Sequence, residues 1–168
     1  MRDRRSARGA DAQATRAPVS PKVLAVRWLA RRDFSRAELT QRLRRRGVAD
    51  DVIESTLDEL AAAGYLSDAR YAQAVVSHRA GRYGKRAIAF ALRERGITTA
   101  DAAVALAPLA NADELEQARE LWQQRFGTAP ADDREKARQV RFLQARGYSL
   151  SVALRVLRAA GARSDEAT

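Results

Sequence analysis

Hydrophobic residues along the chain recur at the three- and four-residue spacing of amphipathic helices, and three of the helices that they predict end in one shared pattern. In residues 43–48, 92–97 and 143–148, a leucine is followed four residues later by a glycine and then by an apolar residue. The glycines, Gly47, Gly96 and Gly147, are 49 and 51 residues apart. A glycine after a run of helix-forming residues is the common left-handed stop at a helix C-terminus. The pattern therefore predicts three helices that each end in a glycine turn.

The residues on both sides of each glycine also repeat. An arginine comes directly before it (Arg46, Arg95 and Arg146), and a leucine comes ten residues after it (Leu57, Leu106 and Leu157). Self-similarity at a fixed period of this length is typical of stacked structural repeats. Each copy is therefore interpreted as a helix, a glycine turn and a second helix, with a leucine on each side holding the pair together.

The apolar periodicity predicts one further helix before each of these pairs, and no segment shows the sustained alternation of a strand. The predicted fold is all-α, with three tandem three-helix repeats that contact mainly their neighbours and form an elongated, curved rod. The predicted segments are a disordered basic tail at 1–20, repeats at 21–66, 67–111 and 112–161, and a frayed tail at 162–168.

In the first predicted unit, the opening helix has an apolar face made of Val23, Leu24, Val26 and Trp28. Ser35 and Glu38 form a capping box that starts the second helix, whose Leu39 and Leu43 point inward. The third helix begins near Asp50, because acidic residues are favourable at a helix N-terminus. The charges of the second helix are mainly basic, whereas those of the third are all acidic.

The second predicted unit has helices at 68–80 and 85–95, followed by a helix that Thr98 or Thr99 caps and that ends near Pro108. The third unit begins with a capping box of Asp113 and Glu116, and Gly127 ends its first helix. Asp133 is predicted to cap a helix that runs to residue 146, and the closing helix covers 149–160.

The composition excludes several classes of protein. Without cysteine there is no disulfide framework or cysteine metal site, which suits a reducing cytoplasm. No apolar run reaches the length of a membrane span, and the basic N-terminus lacks the hydrophobic core of a secretory signal. We expect a cytoplasmic protein without membrane contact.

Few residues are suited to catalysis. His78 is the only histidine, and the chain has neither a Gly-rich phosphate loop nor a dinucleotide-binding fingerprint. We identify no nucleophile that is paired with an activating base. The sequence therefore predicts a protein that is not an enzyme and that has no cofactor or metal site.

The formal net charge of +10 comes mainly from arginine and favours a polyanionic partner, either nucleic acid or a protein assembled on it. Two basic runs lie at equivalent positions of the first two units. The candidate partner- or DNA-binding residues are Arg31, Arg32, Arg36, Arg42, Arg44, Arg45, Arg46, Arg82, Lys85, Arg86, Arg93 and Arg95. Arginine can bind either phosphates or protein carboxylates in a bidentate manner, so these residues alone do not separate DNA from an acidic protein groove.

Five stretches give the chain a resemblance to a known family. Residues 34–47, the leucine-spaced segment 53–60 and the sequence Gly-Tyr-Leu-Ser-Asp-Ala-Arg-Tyr-Ala at 64–72 look like the RecX regulatory proteins of bacteria. The segment 84–97 matches the other well-marked part of that family, and 141–149 fits its closing repeat. The resemblance covers residues 22–161, and Ala69 and Ala91 depart from it where the family often has an acid.

This resemblance implies a modulator of the RecA recombinase. Such proteins are all-helical rods of three repeats that lie in the groove of the RecA–single-stranded-DNA filament. There they limit filament growth, strand exchange and repressor cleavage in the SOS response, homologous recombination and DNA repair, and they use no cofactor. The implied partners are the RecA filament and single-stranded DNA, with duplex DNA as a further candidate and a monomer as the expected state.

Two other hypotheses stay open at this point. The second and third helices of each unit resemble a helix-turn-helix pair, which suggests a direct DNA-binding regulator. Against it, the third helix of the first unit is acidic, whereas recognition helices usually carry polar and basic residues that read base edges. The other hypothesis is a purely structural scaffold, which the concentrated positive charge disfavours.

Overall fold

The computed structural model describes residues 19–109 and 114–165, and within these ranges it contains nine α-helices, one short 3₁₀ helix and no strand. The first unit consists of α1 (Pro21–Leu29), α2 (Arg36–Arg44) and α3 (Asp50–Ala62), and the second of α4 (Asp68–Arg79), α5 (Lys85–Glu94) and α6 (Thr99–Leu106). The third consists of α7 (Glu114–Arg125), α8 (Asp133–Ala145) and α9 (Leu150–Asp165). The predicted all-α fold of three three-helix units is confirmed.

Each unit has its own hydrophobic core. The repeated leucines before the glycines, Leu43, Leu92 and Leu143, are fully buried in three separate clusters. The leucines ten residues after the glycines, Leu57, Leu106 and Leu157, are buried in the same three clusters. The extensive helix–helix packing of the described residues also lies within units. The repeated leucines therefore hold the second and third helices together, as the pattern predicts.

The three glycine turns have the same hydrogen bonds. In the first, the Gly47 N–H donates to the Arg44 carbonyl, and the Val48 N–H donates to the Leu43 carbonyl. The same pair of bonds closes the turns at Gly96 and Gly147. All three glycines have positive φ, between 72° and 92°, as expected for this type of C-terminal stop.

Several details of the helices differ from the predictions. In α1 the fully buried residue is Ala25, whereas Val23, predicted to face inward, is 43% exposed. Asp132, rather than Asp133, caps α8 by accepting a hydrogen bond from the Glu135 N–H. The helix α9 continues through Gly161 to Asp165, into the segment predicted to fray. A glycine costs a helix only about 1 kcal/mol relative to alanine, so Gly161 does not by itself end a helix that packs against α7 and α8.

The other predicted caps have mixed outcomes. The capping box of Ser35 and Glu38 is confirmed, with both of its hydrogen bonds present. Thr98 caps α6, and Pro108 lies in the 3₁₀ turn (Ala107–Leu109) that follows this helix. The predicted capping box at Asp113 lies outside the described residues, as do residues 1–18 of the predicted basic tail.

Neighbouring units meet through one recurring joint, in which the start of one second helix contacts the glycine turn of the next unit. At the first joint, Ser35 donates its hydroxyl to the Arg95 carbonyl at 2.8 Å. At the second, the Gly84 N–H donates to the Arg146 carbonyl at 2.7 Å. The N-terminal ends of α2 and α5 therefore each lie against the C-terminal end of the following second helix.

Candidate partner-binding surface

The predicted site residues of α2 are divided between ion pairs and free positions. Arg36 binds Asp58 at 2.6 Å, and Arg44 binds Asp50 at the same distance. Both carboxylates belong to α3, so the basic helix is partly neutralised by the acidic helix of its own unit. The hydrogen bond from Arg44 lowers the pKa of the Asp50 carboxyl. These two arginines contribute to packing within the unit and leave less charge for a partner.

The remaining predicted arginines of the first unit lie at the C-terminal end of α2 and at the turn before it. Arg42, Arg45 and Arg46 are exposed and have no carboxylate partner among the described residues. Arg31 is likewise exposed and unpaired, whereas Arg32 reaches Glu38 at 3.3 Å. The last turn of α2 therefore keeps most of the positive charge that the sequence predicts for it.

The end of α2 also carries a cluster of arginines and aromatic rings that was not predicted. The Arg32 guanidinium lies 3.6 Å from the centre of the Phe34 ring, and that of Arg42 lies 4.6 Å from the same ring. Arg42 is also 5.6 Å from the Trp28 ring. Phe34 is buried, whereas Trp28 is only partly buried and remains accessible. Trp28 was predicted to lie on the apolar face of α1, and it does pack against the core of the first unit, although part of it stays accessible.

In the second unit, α5 presents a basic face that is largely free. Lys85, Arg86 and Arg93 are exposed and form no ion pair with the described carboxylates. Phe90 is four residues after Arg86 and three before Arg93, so all three lie on one helix face. The Phe90 ring is 55% exposed, and the Arg93 guanidinium is 5.8 Å from its centre. Phe90 was not among the predicted site residues, although its spacing from Arg86 and Arg93 in the sequence places it on the same helix face.

Two other predicted residues contribute to the joints between units. Arg95 is partly buried and donates to the Ala91 carbonyl at 3.0 Å, so its side chain folds back on its own helix. Arg82 accepts a hydrogen bond at its carbonyl from the Arg146 side chain at 3.3 Å, while its own side chain is exposed. The Tyr83 ring lies between Arg79 and Arg146, at 5.2 and 5.1 Å from their guanidinium groups. These contacts order the link between α4 and α5.

The groove between the first two units is balanced in charge. Its volume is about 870 Å³, and its charged lining residues are Arg36, Arg44, Arg95, Glu38, Asp68 and Glu94. Three arginines therefore face three carboxylates. A second cleft, of about 420 Å³, lies at the end of α2 and has a different balance, with Arg32, Arg42, Arg45 and Arg46 beside the single carboxylate of Glu38. These two clefts together contain seven predicted residues, and the second is the more basic of the two.

The described residues show no group of three or more His, Asp or Glu side chains that would suit a metal ion. None of the described helices combines the length and the apolar character that a membrane span requires.

Comparisons with known proteins agree on one family. Family models described as the first, second and third three-helix domains of RecX match residues 22–60, 67–106 and 112–157. The regulatory protein RecX of Leptothrix cholodnii is 45% identical over 150 residues, which cover 89% of this chain and 95% of the relative. That of Ectopseudomonas mendocina is 44% identical over 143 residues and covers 84% and 95%.

Solved structures show the same fold at low sequence identity. The crystal structure of RecX from Lactobacillus salivarius has a TM-score of 0.67 and 19% identity, and the match covers 84% of this chain and 94% of that one. A second crystal structure of a regulatory protein RecX has a TM-score of 0.68 and 21% identity, with 81% and 72% covered.

Proposed function

Because the chain belongs to the RecX family of regulatory proteins, we propose that it is a non-enzymatic modulator of the RecA recombinase. It binds the RecA–single-stranded-DNA filament and limits filament growth, strand exchange and co-protease activity. The observation that carries this proposal is the set of exposed basic side chains without carboxylate partners in two consecutive units. They are Arg31, Arg42, Arg45, Arg46, Arg82, Lys85, Arg86 and Arg93.

The arrangement of the units supports a polymeric partner. The second helix of each of the first two units begins at the same kind of joint, and each of these units carries free basic groups on or beside that helix, so such groups occur in two consecutive units. A filament likewise presents the same acidic or phosphate groups at every repeat. Weak contacts from two consecutive units to one filament act together, which raises the effective affinity well above that of one contact.

A charge-reversal experiment tests the proposal. We expect Arg86→Glu with Arg93→Glu to raise the concentration needed to inhibit RecA strand exchange by about tenfold or more, because like-charge contacts cost several kcal/mol and each 1.4 kcal/mol is tenfold. Both side chains are exposed and unpaired, so helicity by circular dichroism stays unchanged.

The matched control is Arg155→Glu with Arg158→Glu on α9, which changes the net charge equally at two exposed positions of the third unit. Inhibition by the control remains at the wild-type concentration. If the Arg86 and Arg93 double variant inhibits as well as the wild type, the proposed contact face is wrong. Equal loss in both double variants would instead indicate a response to net charge alone.

The salt dependence of filament binding identifies the groups that the arginines contact. Binding to phosphate releases counterions, so the affinity falls with a slope of about 0.7 per single-strand contact on a double logarithmic plot. We expect this slope to decrease in the Arg86 and Arg93 double variant. A flat profile for the wild type would point to apolar docking on the filament.

The helix-turn-helix alternative has little support in the structure. The face of α3 that remains exposed carries Asp51, Glu54 and Glu59, which would lie against phosphates in a DNA groove. A gel shift on random duplexes, with and without RecA, separates the two functions. Binding to duplex DNA alone at the concentration that inhibits strand exchange would favour the alternative.

A further inference from the structure

The basic cleft at the end of α2 has features that a general cationic surface lacks. It is a concave site of about 420 Å³, and its lining residues are Trp28, Arg32, Glu38, Gln41, Arg42, Arg45 and Arg46. One wall comes from α1, through Trp28, and the other from α2 and the turn that follows it. Clefts of this size hold small organic ligands in other proteins.

The charge inside the cleft is strongly unbalanced. The Glu38 carboxylate already accepts hydrogen bonds from Arg32, from the Ser35 N–H and from the Tyr71 hydroxyl. Arg42, Arg45 and Arg46 have no carboxylate to neutralise them. Three guanidinium groups therefore remain free to bind a phosphate, and the planar fork of each one suits bidentate phosphate binding.

The aromatic wall of the cleft is accessible, and one arginine is already ordered beside it. The Phe34 ring is buried beneath Arg32 and Arg42, and its contacts with both guanidinium groups hold these side chains in place. Trp28 is only partly buried, and its ring lies 5.6 Å from the Arg42 guanidinium. An arginine that is held before binding loses less conformational entropy when a ligand arrives.

We propose that this cleft binds one nucleotide unit of a single-stranded nucleic acid. The base stacks on the Trp28 ring, and Arg42, Arg45 and Arg46 bind the adjoining phosphate. Stacking of bases on aromatic side chains, combined with a basic groove, is the usual way in which single strands are bound without sequence preference. An acidic protein segment would use only the arginines, whereas a nucleotide would also use the part of the indole that the first core and Arg42 leave accessible, so the aromatic wall favours a nucleotide.

This inference extends the proposed function. It rests on that function in one respect only, which is that the RecA filament supplies the single strand. Binding of an oligonucleotide to the protein alone is measured without RecA. The two proposals therefore fail separately, because the experiment on Arg86 and Arg93 concerns a different helix and a different assay.

The two tryptophans make the site directly observable. Trp122 is buried in the third unit and donates its indole N–H to Gln139, whereas Trp28 lines the cleft. We expect a short oligothymidylate to quench the fluorescence of the wild type and to leave that of Trp28→Phe, which reports Trp122 alone, unchanged. The same proteins are titrated in parallel with thymidine monophosphate and with inorganic phosphate.

Variants of the cleft separate stacking from charge. With a fluorescein-labelled oligothymidylate, Trp28→Phe keeps most of the affinity because it keeps a stacking ring, whereas Trp28→Leu weakens binding roughly fivefold or more. Arg42→Gln with Arg45→Gln weakens it about tenfold and reduces the salt slope. The matched control Arg155→Gln with Arg158→Gln retains the wild-type affinity, and circular dichroism verifies the helicity of each variant.

The binding measurements either support or contradict the proposed nucleotide site. If Trp28→Leu and the Arg42 and Arg45 double variant both bind the oligonucleotide like the wild type, the inference is wrong. If thymidine monophosphate binds as tightly as the oligonucleotide, the cleft binds a nucleotide, but the proposal that the nucleotide belongs to a single strand is wrong. Loss of oligonucleotide binding by Trp28→Leu, with the quenching confined to Trp28, supports the site even if the same variant still inhibits strand exchange.

Discussion

At the scale of single residues, the core of the third unit contains a polar residue at a position where the other two cores contain an apolar one. Eight residues before the repeated glycine, the first two units carry Leu39 and Ile88, whereas the third carries Gln139. Gln139 is fully buried, and its side-chain oxygen accepts the Trp122 indole N–H at 2.7 Å. Its amide nitrogen donates to the Thr128 carbonyl at 3.4 Å. A buried polar group is tolerated there because both of its ends are hydrogen-bonded.

This pair leads to a prediction on stability. Replacing Gln139 by leucine restores the residue type of the first unit but leaves the Trp122 N–H without an acceptor, so we expect a loss of about 1–3 kcal/mol in the free energy of unfolding. Adding Trp122→Phe removes the orphaned donor and recovers part of that loss, as urea denaturation will show. A double variant that loses the sum of the two single effects would contradict the interpretation.

Two buried tyrosines differ in whether the hydroxyl has a partner. The Tyr71 hydroxyl donates to Glu38 at 3.2 Å, whereas the Tyr148 hydroxyl finds no partner among the described residues. Burial raises the pKa of both phenols, with a further contribution from Glu38 at Tyr71 and from Glu114 and Glu120 at Tyr148. The neutral phenol is therefore favoured in the folded protein.

We expect Tyr71→Phe to cost about 1 kcal/mol at neutral pH, and Tyr148→Phe to be neutral or stabilising, because only the first removes a hydrogen bond. The raised pKa values add stability that is fully present below pH about 10, where the unfolded phenols begin to ionise, and that is lost as the pH rises above it. Thermal unfolding from pH 8 to 11 measures both effects. A wild type whose stability does not fall above pH 10, or falls no more than that of the double Phe variant, would contradict the prediction.

At the scale of helices and turns, the joint between units depends on how closely the backbones approach. A Cβ atom on Gly96 would lie 2.6 Å from the Cβ of Ala37, and one on Gly147 would lie 2.5 Å from the Cβ of Ala87. A Cβ on Gly47, which ends the same kind of helix, would meet no atom within 4 Å. Gly96 and Gly147 therefore serve two needs, the left-handed turn and the joint, whereas Gly47 serves the turn alone.

The two roles can be separated by a matched pair of substitutions. Gly47→Ala introduces only the strain of a side chain at positive φ, so we expect a loss of about 1–2 kcal/mol. Gly96→Ala adds the clash with Ala37, and its loss is larger by about 1–3 kcal/mol. Denaturant unfolding of the two variants measures the difference directly. Equal losses would show that the joint accommodates the methyl group without strain.

At the scale of the whole molecule, the chain is a series of small cores linked by narrow joints. The hydrogen bonds that cross between units join the first to the second and the second to the third. In such an arrangement stability is approximately the sum of the intrinsic stability of each unit and the interactions between neighbours. A defect in one unit is therefore expected to act mainly on that unit.

Hydrogen exchange tests this expectation with two equivalent leucines. Leu143→Ala creates a cavity in the third core, where the cost is about 2–5 kcal/mol, and we expect faster amide exchange in α8 and α9 with little change in α2 and α3. Leu43→Ala, at the equivalent position of the first unit, gives the opposite pattern. Uniform loss of protection over the whole chain in both variants would indicate a single cooperative unit instead.

Local signals were sufficient for the helices and for the repeat. Helix periodicity, the capping box at Ser35 and the glycine stops act over three to five residues, so they can be identified directly along the chain. The repeated leucines identified the core of every unit for the same reason. The errors at Val23 and at the end of α9 arose where packing with other helices outweighs the local preference.

The candidate surface needed the tertiary structure, because charge in the sequence does not reveal which groups are already paired. Arg36 is neutralised by Asp58, 22 residues away, and Arg44 by Asp50 across the glycine turn, whereas Arg42 remains free. The contact between Ser35 and Arg95 likewise joins residues 60 positions apart. The sequence by itself determined the helical units and the excess of positive charge, since both are local or additive properties. Only the fold decided which arginines stay available and which of them lie beside Trp28, since pairing over long separations depends on how the helices pack.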